Sequence, residues 1–453
     1  MKAESAATTA EGRADEHLPE DVTATQPAHS TAYTLVHLVA GETTKDLVIP
    51  QVVSHMALQA RTEGPLRPRR VVIAFLEPAR VAMRRAIRRH VRTLRRATPG
   101  VRVMLIPYVS RFSIKANAAI IGHLMRLRIG GGDVVFHCRG ESTVSWAAEM
   151  SKQLGRAGIV ADIRGAQPEE TLAGRGFATL EEADARSSRD FHFQLAAVQN
   201  ALSRAQEVFT VSAGMREWLE TIGVAAERIH YVPCCVSRVA YSPDVRARMR
   251  RTLGFGDELV YAFLGSAWSY GIIGDGLTSF LRATFGQFAD TRLLMLTDQP
   301  DQMRARLAAD GIPPSRATVL RVPHGEVWGY LCAADCGCIL KAPGRLNRTW
   351  QPVKLGEYLG CGLPVIVSRG VGRVDGLIQR SGAGLVVDIF GRGDPGITAE
   401  AARVHNALCI DGEAMRTRAL NLCRDEFLWN CYIDQVRAAY ARSVIAGAAS
   451  ARQ

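Results

Sequence analysis

The chain has 453 residues, of which 47% are hydrophobic, and a formal net charge of +12. This length exceeds one ordinary hydrophobic core and predicts two domains of about 200 residues each. The sequence has no run of about eighteen apolar residues, which excludes an obvious membrane-spanning helix. Its ten cysteines form no CxxC pair and show no metal-like spacing with histidines. Reduced, buried thiols in a cytoplasmic protein are therefore expected.

Residues 1–30 are rich in alanine, threonine and acidic side chains and lack the apolar core of a secretion signal. We expect them to form a disordered tail. The following residues alternate between apolar runs and helical patterns. Parallel strands are predicted at Tyr33 to Val39, Val71 to Phe75, Val103 to Pro107, Val134 to His137, Ile159 to Ile163 and Val208 to Val211. Helices are predicted at Arg80 to Ala97, Ser113 to Arg128, Ser142 to Gly155 and Asp190 to Gln206. This alternation is typical of a doubly wound sheet, whose functional loops follow the carboxyl ends of the strands.

The helix predicted at Arg80 to Ala97 is strongly cationic. The stretch from Pro78 to Gly132 contains no Asp or Glu, and eight arginines lie between Arg80 and Arg96. An apolar stripe recurs at helical spacing through Met83, Ile87, Val91 and Leu94. Such a helix suits the surface of an anionic membrane. An ordinary surface helix is the main alternative. Nucleic acid is disfavoured because interleaved aromatic residues and a recognition motif are missing.

Charged residues follow two neighbouring strands of the first half. His137 and Arg139 end one strand, and Asp162 and Arg164 end the next. An arginine at such a position can bind a phosphate or a carboxylate. Alternatively, Asp162 and Arg164 form a pair that fixes the loop, and His137 is a hydrogen-bonded histidine at the strand end.

The first half ends with a helix capped by Ser212 and a last strand at Arg228 to Pro233. The run from Cys235 to Arg251 is interpreted as the connection between domains, with a boundary near residue 240. The second half repeats the pattern. Strands are predicted at Leu259 to Leu264, Arg292 to Thr297, Thr318 to Val322, Cys336 to Leu340, Pro364 to Ser368 and Gly384 to Val387. Helices are predicted at Gly276 to Phe285, Asp301 to Ala309, Val327 to Ala334, Val353 to Gly360, Asp375 to Arg380 and Phe427 to Ala446.

The most informative stretch runs from Lys341 to Gly372 and predicts a loop, a short helix and a strand. Pro352 suits the first turn of this helix, and Gly360 and Gly362 end it. Lys354 and Glu357 are three residues apart and so share one face near the start of the helix. A phosphate could contact Lys354 and the free backbone amides there, while Glu357 could accept from two ribose hydroxyls. A solvated Lys–Glu pair is the alternative.

This stretch resembles the donor site of the retaining nucleotide-sugar glycosyltransferases of family 4, which have the GT-B fold. The pattern is met by Pro352, Lys354, Glu357, Tyr358, Leu359, Gly362, Leu363, Pro364, Val365 and Ile366, followed by Gly370, Val371 and Gly372. The resemblance implies an α/β protein of two Rossmann-like domains that face each other across a cleft. It implies an acceptor domain at 31–240, a donor domain at 241–426 and, at 427–453, a C-terminal helix that returns to the first domain.

The same resemblance implies roles for individual residues. Arg348, Lys354 and Glu357 are the expected catalytic residues. Donor-binding residues are expected to be Gly265, Lys341, Arg345, Asn347, Thr349 and Gly372. The acceptor side is expected to include His137, Arg139, Asp162 and Arg164, the last two lying in an Asp-x-Arg-Gly run similar to one in some family members. No metal ion or other cofactor is expected.

Two departures from the family pattern alter the site. Thr349 stands where the family has a first Glu, eight positions before Glu357. The loop from Gly265 to Gly274 lacks the Arg and Lys that the family places on the diphosphate, although Gly265 and Gly271 would let backbone amides approach a phosphate. We expect Lys341, Arg345, Arg348 and Lys354 to supply the missing charge.

The leading hypothesis is a cytoplasmic glycosyltransferase, peripheral on the inner face of the cell membrane, that moves a sugar to a polysaccharide, glycolipid or other glycan. A UDP-sugar epimerase with the same fold is a second hypothesis. A third is a non-catalytic protein that binds nucleotide sugar or glycan at the membrane. The expected partners are thus a nucleotide-sugar donor, a glycan or lipid-linked acceptor and an anionic membrane, and not nucleic acid.

Overall fold

The computed structural model describes residues 32–44, 48–177, 179–266, 276–372 and 374–450. Thirteen strands form two parallel sheets, one of seven strands and one of six. The first contains β1 (Tyr33–Ala40), β2 (Arg70–Pro78), β3 (Val101–Tyr108), β4 (Asp133–Arg139), β5 (Ala157–Ile163), β6 (Glu207–Thr210) and β7 (Ile229–Tyr231). The second contains β8 (Leu259–Leu264), β9 (Thr291–Leu296), β10 (Ala317–Leu320), β11 (Cys336–Ile339), β12 (Val365–Ser368) and β13 (Gly384–Val387).

Each sheet reverses its direction of winding once. The first has the order β3-β2-β1-β4-β5-β6-β7 and the second has the order β10-β9-β8-β11-β12-β13. The reversals fall between β1 and β4 and between β8 and β11. Ligands of doubly wound sheets bind in the crevice at such reversals, beyond the carboxyl ends of the strands.

Helices cover both faces of each sheet. In the first half they are α1 (Ser54–Arg61), α2 (Ala79–Ala82), α3 (Arg85–Ala97), α4 (Ile114–Ile129), α5 (Glu141–Ser151), α6 (Gln167–Gly174), α7 (Ala185–Leu202) and α8 (Ala213–Thr221). In the second half they are α9 (Pro243–Leu253), α10 (Gly276–Gln287), α11 (Pro300–Ala309), α12 (Val327–Cys332), α13 (Arg345–Thr349), α14 (Lys354–Gly360), α15 (Val374–Ser381), α16 (Asp394–Leu422) and α17 (Ile433–Ser450). None of these described helices is long and apolar enough to cross a bilayer.

The strands are buried on both faces because helices pack on either side. In β1, Val36 and Leu38 pack into a core with residues of α4 and α5. Leu35 and Val39 point to the opposite face and pack with Val436, Tyr440 and other residues of the C-terminal segment. The last helix, α17, therefore lies on the first sheet, in contact with β5, β4 and β6, as expected for the returning helix of a GT-B fold.

The structure confirms all the predicted strands of its described part and corrects several helices. The predicted helix at Arg80 to Ala97 is two helices, α2 and α3, which are separated at Met83 and Arg84. Met83 is 66% exposed and therefore does not belong to the buried apolar stripe. The expected connection at Cys235 to Arg251 contains α9, which begins at Pro243 after the Ser242 cap. Pro352 precedes its helix, which begins at Lys354. The 29-residue helix α16 is missing from the sequence predictions.

Of the ten cysteines, eight are buried, and all ten are free thiols. Cys409 and Cys431 are exposed, so the expectation of burial does not hold for these two. The expected boundary near residue 240 falls between the two sheets, whose strands end at Tyr231 and resume at Leu259. The division into acceptor and donor domains stays a prediction.

Candidate functional site

The candidate site lies at the winding reversal of the second sheet, where the loops after β8, β11 and β12 begin. Gly265 follows β8, and its amide donates to Leu296 O at 3.0 Å. The rest of the expected phosphate loop, including Gly271, lies outside the described residues. Lys341 follows β11 closely, and the segment up to Gly372 follows β12.

Lys341 is a buried amine at the end of β11, only 2% exposed. The Ser368 side chain holds its backbone, since Ser368 Oγ accepts from Lys341 N at 2.8 Å and donates to Lys341 O at 2.7 Å. The Lys341 ammonium lies over the Trp350 ring. Its Nζ has no hydrogen-bond partner among the described residues. Burial, and to a smaller extent the nearby Lys354, lower the pKa of Lys341 to about 6, against the opposing effect of Glu170 in α6.

Lys354 and Glu357 are both held in the first turns of α14. The Lys354 ammonium lies 4.2 Å from the centroid of the Phe263 ring in β8. Burial lowers the pKa of Lys354 to about 8, against the attraction of Glu357. Glu357 is 6% exposed, and burial raises its pKa to about 7 despite the nearby Lys354. In both residues burial outweighs their mutual attraction, so neither charge is fully compensated.

Two amines with lowered pKa values thus share one buried region. Like charges that are removed from water repel each other and lose hydration, and an anion placed beside them relieves both costs. The contribution of Glu170 to Lys341 shows that this region also borders α6 of the first domain. The arrangement is suited to a doubly charged anion at the junction of the two domains.

The loop that carries the remaining donor-side residues is packed against the first domain. Ser212 caps α8 and also donates its hydroxyl to Thr349 O at 2.9 Å. Gly214 of α8 lies so near that a Cβ there would be 1.9 Å from Arg348 O. Any side chain at position 214 would therefore push this loop away. The side chain of Arg348 is exposed.

Several of the residues expected to bind the donor form hydrogen bonds within the chain. Thr349 donates its hydroxyl to Leu346 O at 3.0 Å. Gly372 donates its amide to Asn347 O and has a φ of +54°, and a Cβ there would lie 1.8 Å from Trp350 O. Asn347 Nδ2 donates to Ala342 O, while its Oδ1 is buried without a partner among the described residues. The Arg345 side chain is outside the described part. The structure therefore brings Lys341, Lys354 and Glu357 together, and Gly372 and Asn347 support the loop.

Three of the expected acceptor-side residues, His137, Asp162 and Arg164, lie next to one another at the ends of β4 and β5. His137 is 1% exposed, with Nδ1 2.7 Å from Tyr440 Oη and Nε2 3.2 Å from Asp162 Oδ2. Arg164 Nε donates to Asp162 Oδ2 at 2.7 Å. Although burial acts to raise it, Arg164 and His137 hold the pKa of Asp162 well below its usual range. Arg139 instead donates to Glu42 Oε2 at 2.7 Å. This is the arrangement of the alternative interpretation, in which Asp162 and Arg164 fix the loop.

Sequence reasoning missed two histidines that the fold places beside His137. His37 lies in β1 and His55 in α1, and both are buried. The register of two parallel strands brings His37 next to His137. A histidine inside each of two otherwise apolar predicted strands is a signal that could have indicated the proximity of His37 and His137.

Comparison with solved structures identifies the fold as GT-B. Anabaena HepE in complex with UDP-glucose is similar with a TM-score of 0.64 at 13% sequence identity, over 90% of this chain and 99% of HepE. Sucrose-phosphate synthase from Thermosynechococcus elongatus gives a TM-score of 0.63 at 14% identity, over 92% and 100% of the two chains. A putative UDP-N-acetylglucosamine 2-epimerase from Listeria monocytogenes gives 0.56 at 11% identity, over 91% and 97%. No protein-family model and no curated protein sequence matches this chain.

Proposed function

We propose that this protein is a retaining glycosyltransferase that moves a sugar from a nucleotide-diphosphate sugar to a glycan or lipid-linked acceptor. The observation that carries the proposal is the pair of amines, the buried Lys341 and the partly buried Lys354, beside the carboxyl group of Glu357 at the winding reversal of the second sheet. The similar structures of HepE contain UDP and UDP-glucose. The run from Pro352 to Gly372 resembles the donor motif of family 4.

In this proposal the donor diphosphate lies against the two amines. The leaving diphosphate gains negative charge as the glycosidic bond breaks, so cations fixed beside it stabilise the transition state more than the ground state. Glu357 accepts hydrogen bonds from the ribose hydroxyls. The leaving phosphate helps to deprotonate the acceptor hydroxyl from the same face, as the resemblance implies. Charge compensation is assigned to the chain's own amines and not to a metal ion.

Donor binding is tested by titrating UDP, GDP and ADP and their glucose derivatives into the protein by calorimetry. We expect one nucleotide to bind tightly and Glu357→Ala to weaken it at least tenfold, about 1.4 kcal/mol. Lys152→Met is the matched control, because this lysine directly follows α5 in the first domain and pairs with Glu149. Unchanged affinity in a folded Glu357→Ala protein would defeat the assignment of the donor site.

The reaction is tested with radiolabelled donors and a lipid extract as acceptor. Transfer of label to lipid or glycan supports the transferase. The similarity to the putative epimerase makes sugar isomerisation the second candidate, and conversion of the donor without transfer would support it. Binding without turnover would favour a non-catalytic protein.

We further propose that the first domain lies on an anionic membrane surface of the cytoplasm. All eight arginines between Arg80 and Arg96 are exposed. On α4, which packs on the opposite face of the first sheet from α3, Ile120, Leu124 and Leu127 are exposed by 61%, 55% and 82% and recur at helical spacing. A surface depression along the edge strand β3 is lined by Arg95, Arg102 and Arg128. Exposed apolar residues among cationic ones suit insertion at the boundary of headgroups and acyl chains.

A further inference from the structure

Three histidines from three different elements meet in the interior of the first domain. His37 in β1 and His137 in β4 are register partners in neighbouring parallel strands, so that their rings emerge on the same face of the sheet. His55 of α1 packs over them. The ring centroids lie 4.2 Å apart for His37 and His137 and 5.3 Å apart for His55 and His137. Each histidine is at most 1% exposed.

Most ring nitrogens of this cluster have no hydrogen-bond partner among the described residues. Both nitrogens of His37, Nδ1 of His55 and Nε2 of His137 are buried and unsatisfied. Leaving a buried polar group without a partner costs about 1–3 kcal/mol, so four such atoms in one place require an explanation. One nitrogen of each ring lies within 4.8 Å of the other two.

The outer sides of two rings are held by neighbouring groups. Tyr440 Oη of α17 lies 2.7 Å from His137 Nδ1. The indole of Trp429 stacks on His55 with centroids 4.2 Å apart. Asp162 Oδ2 lies 3.2 Å from His137 Nε2, without the alignment of a hydrogen bond. Groups that orient imidazole rings from outside are what metal sites require of their surroundings.

The protonation of the cluster is compatible with ligation. Burial lowers the pKa of His37, His55 and His137, and the rings lower one another's further for His37 and His55. The neutral imidazole, which has a free lone pair, is the form that binds metals.

We propose that His37, His55 and His137 form a binding site for a divalent transition-metal ion, with zinc as the best fit. Three imidazoles are a common zinc ligand set, and the fourth position of the tetrahedron falls to Asp162 or to a water. Zinc–nitrogen bonds of about 2.0–2.1 Å require the three nitrogens to be closer to one another than 4.8 Å, so the rings must move together on binding. The ion would join β1, β4 and α1 beneath the C-terminal segment.

Two hydrogen bonds of Gln59 must change when the metal binds, one with His55 and one with Arg437. Gln59 Nε2 lies 3.1 Å from His55 Nε2, while Gln59 Oε1 accepts from Arg437 Nε at 3.0 Å. His55 Nε2 therefore accepts in this arrangement, and its proton is on Nδ1. Ligation through Nδ1 moves the proton to Nε2, so the Gln59 amide has to turn and present its oxygen.

The experiment uses the full chain, stripped with a chelator and then dialysed against excess Zn²⁺. We expect about one zinc per chain by elemental analysis and a rise in Tm that the chelator reverses. With Co²⁺, we expect the visible absorption of a tetrahedral site with nitrogen ligands. His37→Ala and His55→Ala should each lose the bound metal. His192→Ala, an exposed histidine on α7, is the matched control and should retain it.

Two outcomes would overturn the site. The first is a wild-type chain that takes up less than about a tenth of an equivalent of zinc and shows no cobalt absorption. The second is full metal content in His37→Ala and His55→Ala, which would assign the metal to other residues. The cobalt spectrum of the wild type needs no variant, so the site remains testable even if a histidine substitution prevents folding.

Discussion

Two cationic regions of this molecule differ in the solvent exposure of their charged groups. In the first domain, eight exposed arginines line α2, α3 and the turn between them, within a stretch that has no acidic residue. In the second domain, Lys341 and Lys354 are largely withdrawn from water, and burial lowers their pKa values to about 6 and about 8. Exposed charge acts over a long range, is screened by salt and keeps its protonation. Buried charge acts on a neighbour and depends on pH.

This difference leads us to assign the regions different partners. Many weak, exposed charges suit an extended anionic surface, where each arginine adds a similar small attraction. A few buried charges suit a small anion that replaces the lost hydration of the amines. Salt, pH and single substitutions should therefore affect the two regions differently.

The largest effect is expected from the arginine surface. Replacement of Arg84, Arg85, Arg88 and Arg92 by glutamine should weaken binding to anionic vesicles at low salt by about 10³-fold, since each arginine near the surface contributes about 1 kcal/mol. Co-sedimentation with vesicles of mixed neutral and anionic lipid measures this. A control with the same loss of charge replaces exposed arginines of the second domain, namely Arg304, Arg392, Arg403 and Arg424. Equal retention of both variants on vesicles would refute the membrane surface.

A single buried amine should account for the next largest effect. Lys354→Met should weaken nucleotide-diphosphate binding about 30-fold, because a hydrogen bond between charged groups contributes roughly 2 kcal/mol. Calorimetry measures the affinity, with Lys152→Met as the control. The loss should be nearly the same at low and moderate salt, unlike vesicle binding. If the difference in affinity between Lys354→Met and the wild type disappears when salt is added, Lys354 behaves as an exposed charge. That result would contradict the distinction between the two cationic regions.

The pH dependence of donor binding should distinguish the buried amines from the arginines. A bound diphosphate favours the protonated amine, so affinity should fall about fivefold as pH rises from 8 to 9, where free Lys354 loses its proton. Below pH 7, Glu357 gains a proton, which lowers affinity, while Lys341 gains a proton, which raises it, so the two effects oppose each other. A nucleotide sugar should be titrated at constant ionic strength. In Lys354→Met the decline above pH 8 should disappear, and vesicle binding of the wild type should stay flat over the same range.

The sequence predicted the fold more completely than the site. Strands such as Val71 to Phe75 are apolar on both faces and were evident, because parallel strands buried between helices leave a continuous hydrophobic signal. The helix α16 was missed, although Pro395 follows its first residue.

For the site, the spacing of Lys354 and Glu357 predicted that they share one face of a helix. Lys341 was included because it lies close to them in the sequence and could supply the charge that the loop after Gly265 lacks. The contacts of Gly372 with Asn347 and the meeting of His37 with His55 depend on how distant segments pack. The residue pattern within one segment does not determine such contacts between segments.

The smallest expected effect tests whether Lys341 belongs to a ligand site or to the core. Lys341 has a pKa of about 6 in the folded chain and its ordinary, higher value in the unfolded chain. At a pH between these two values, Lys341 is protonated in the unfolded chain and neutral in the folded chain. The free energy of unfolding therefore rises with pH in this range. Lys341→Met removes this cost and keeps the packing against Trp350. We therefore expect the ligand-free variant to have a Tm higher by a few degrees at pH 7, with the gain shrinking towards pH 10.

The same variant should bind the nucleotide diphosphate more weakly than the wild type, with Lys152→Met unchanged in both measurements. Calorimetry of unfolding and of binding on one protein preparation gives both values. Higher stability and lower nucleotide affinity in Lys341→Met would together show that Lys341 destabilises the ligand-free protein and contributes to ligand binding. A lower Tm with unchanged affinity would instead make Lys341 a structural residue, and the anion site would then consist of Lys354 alone.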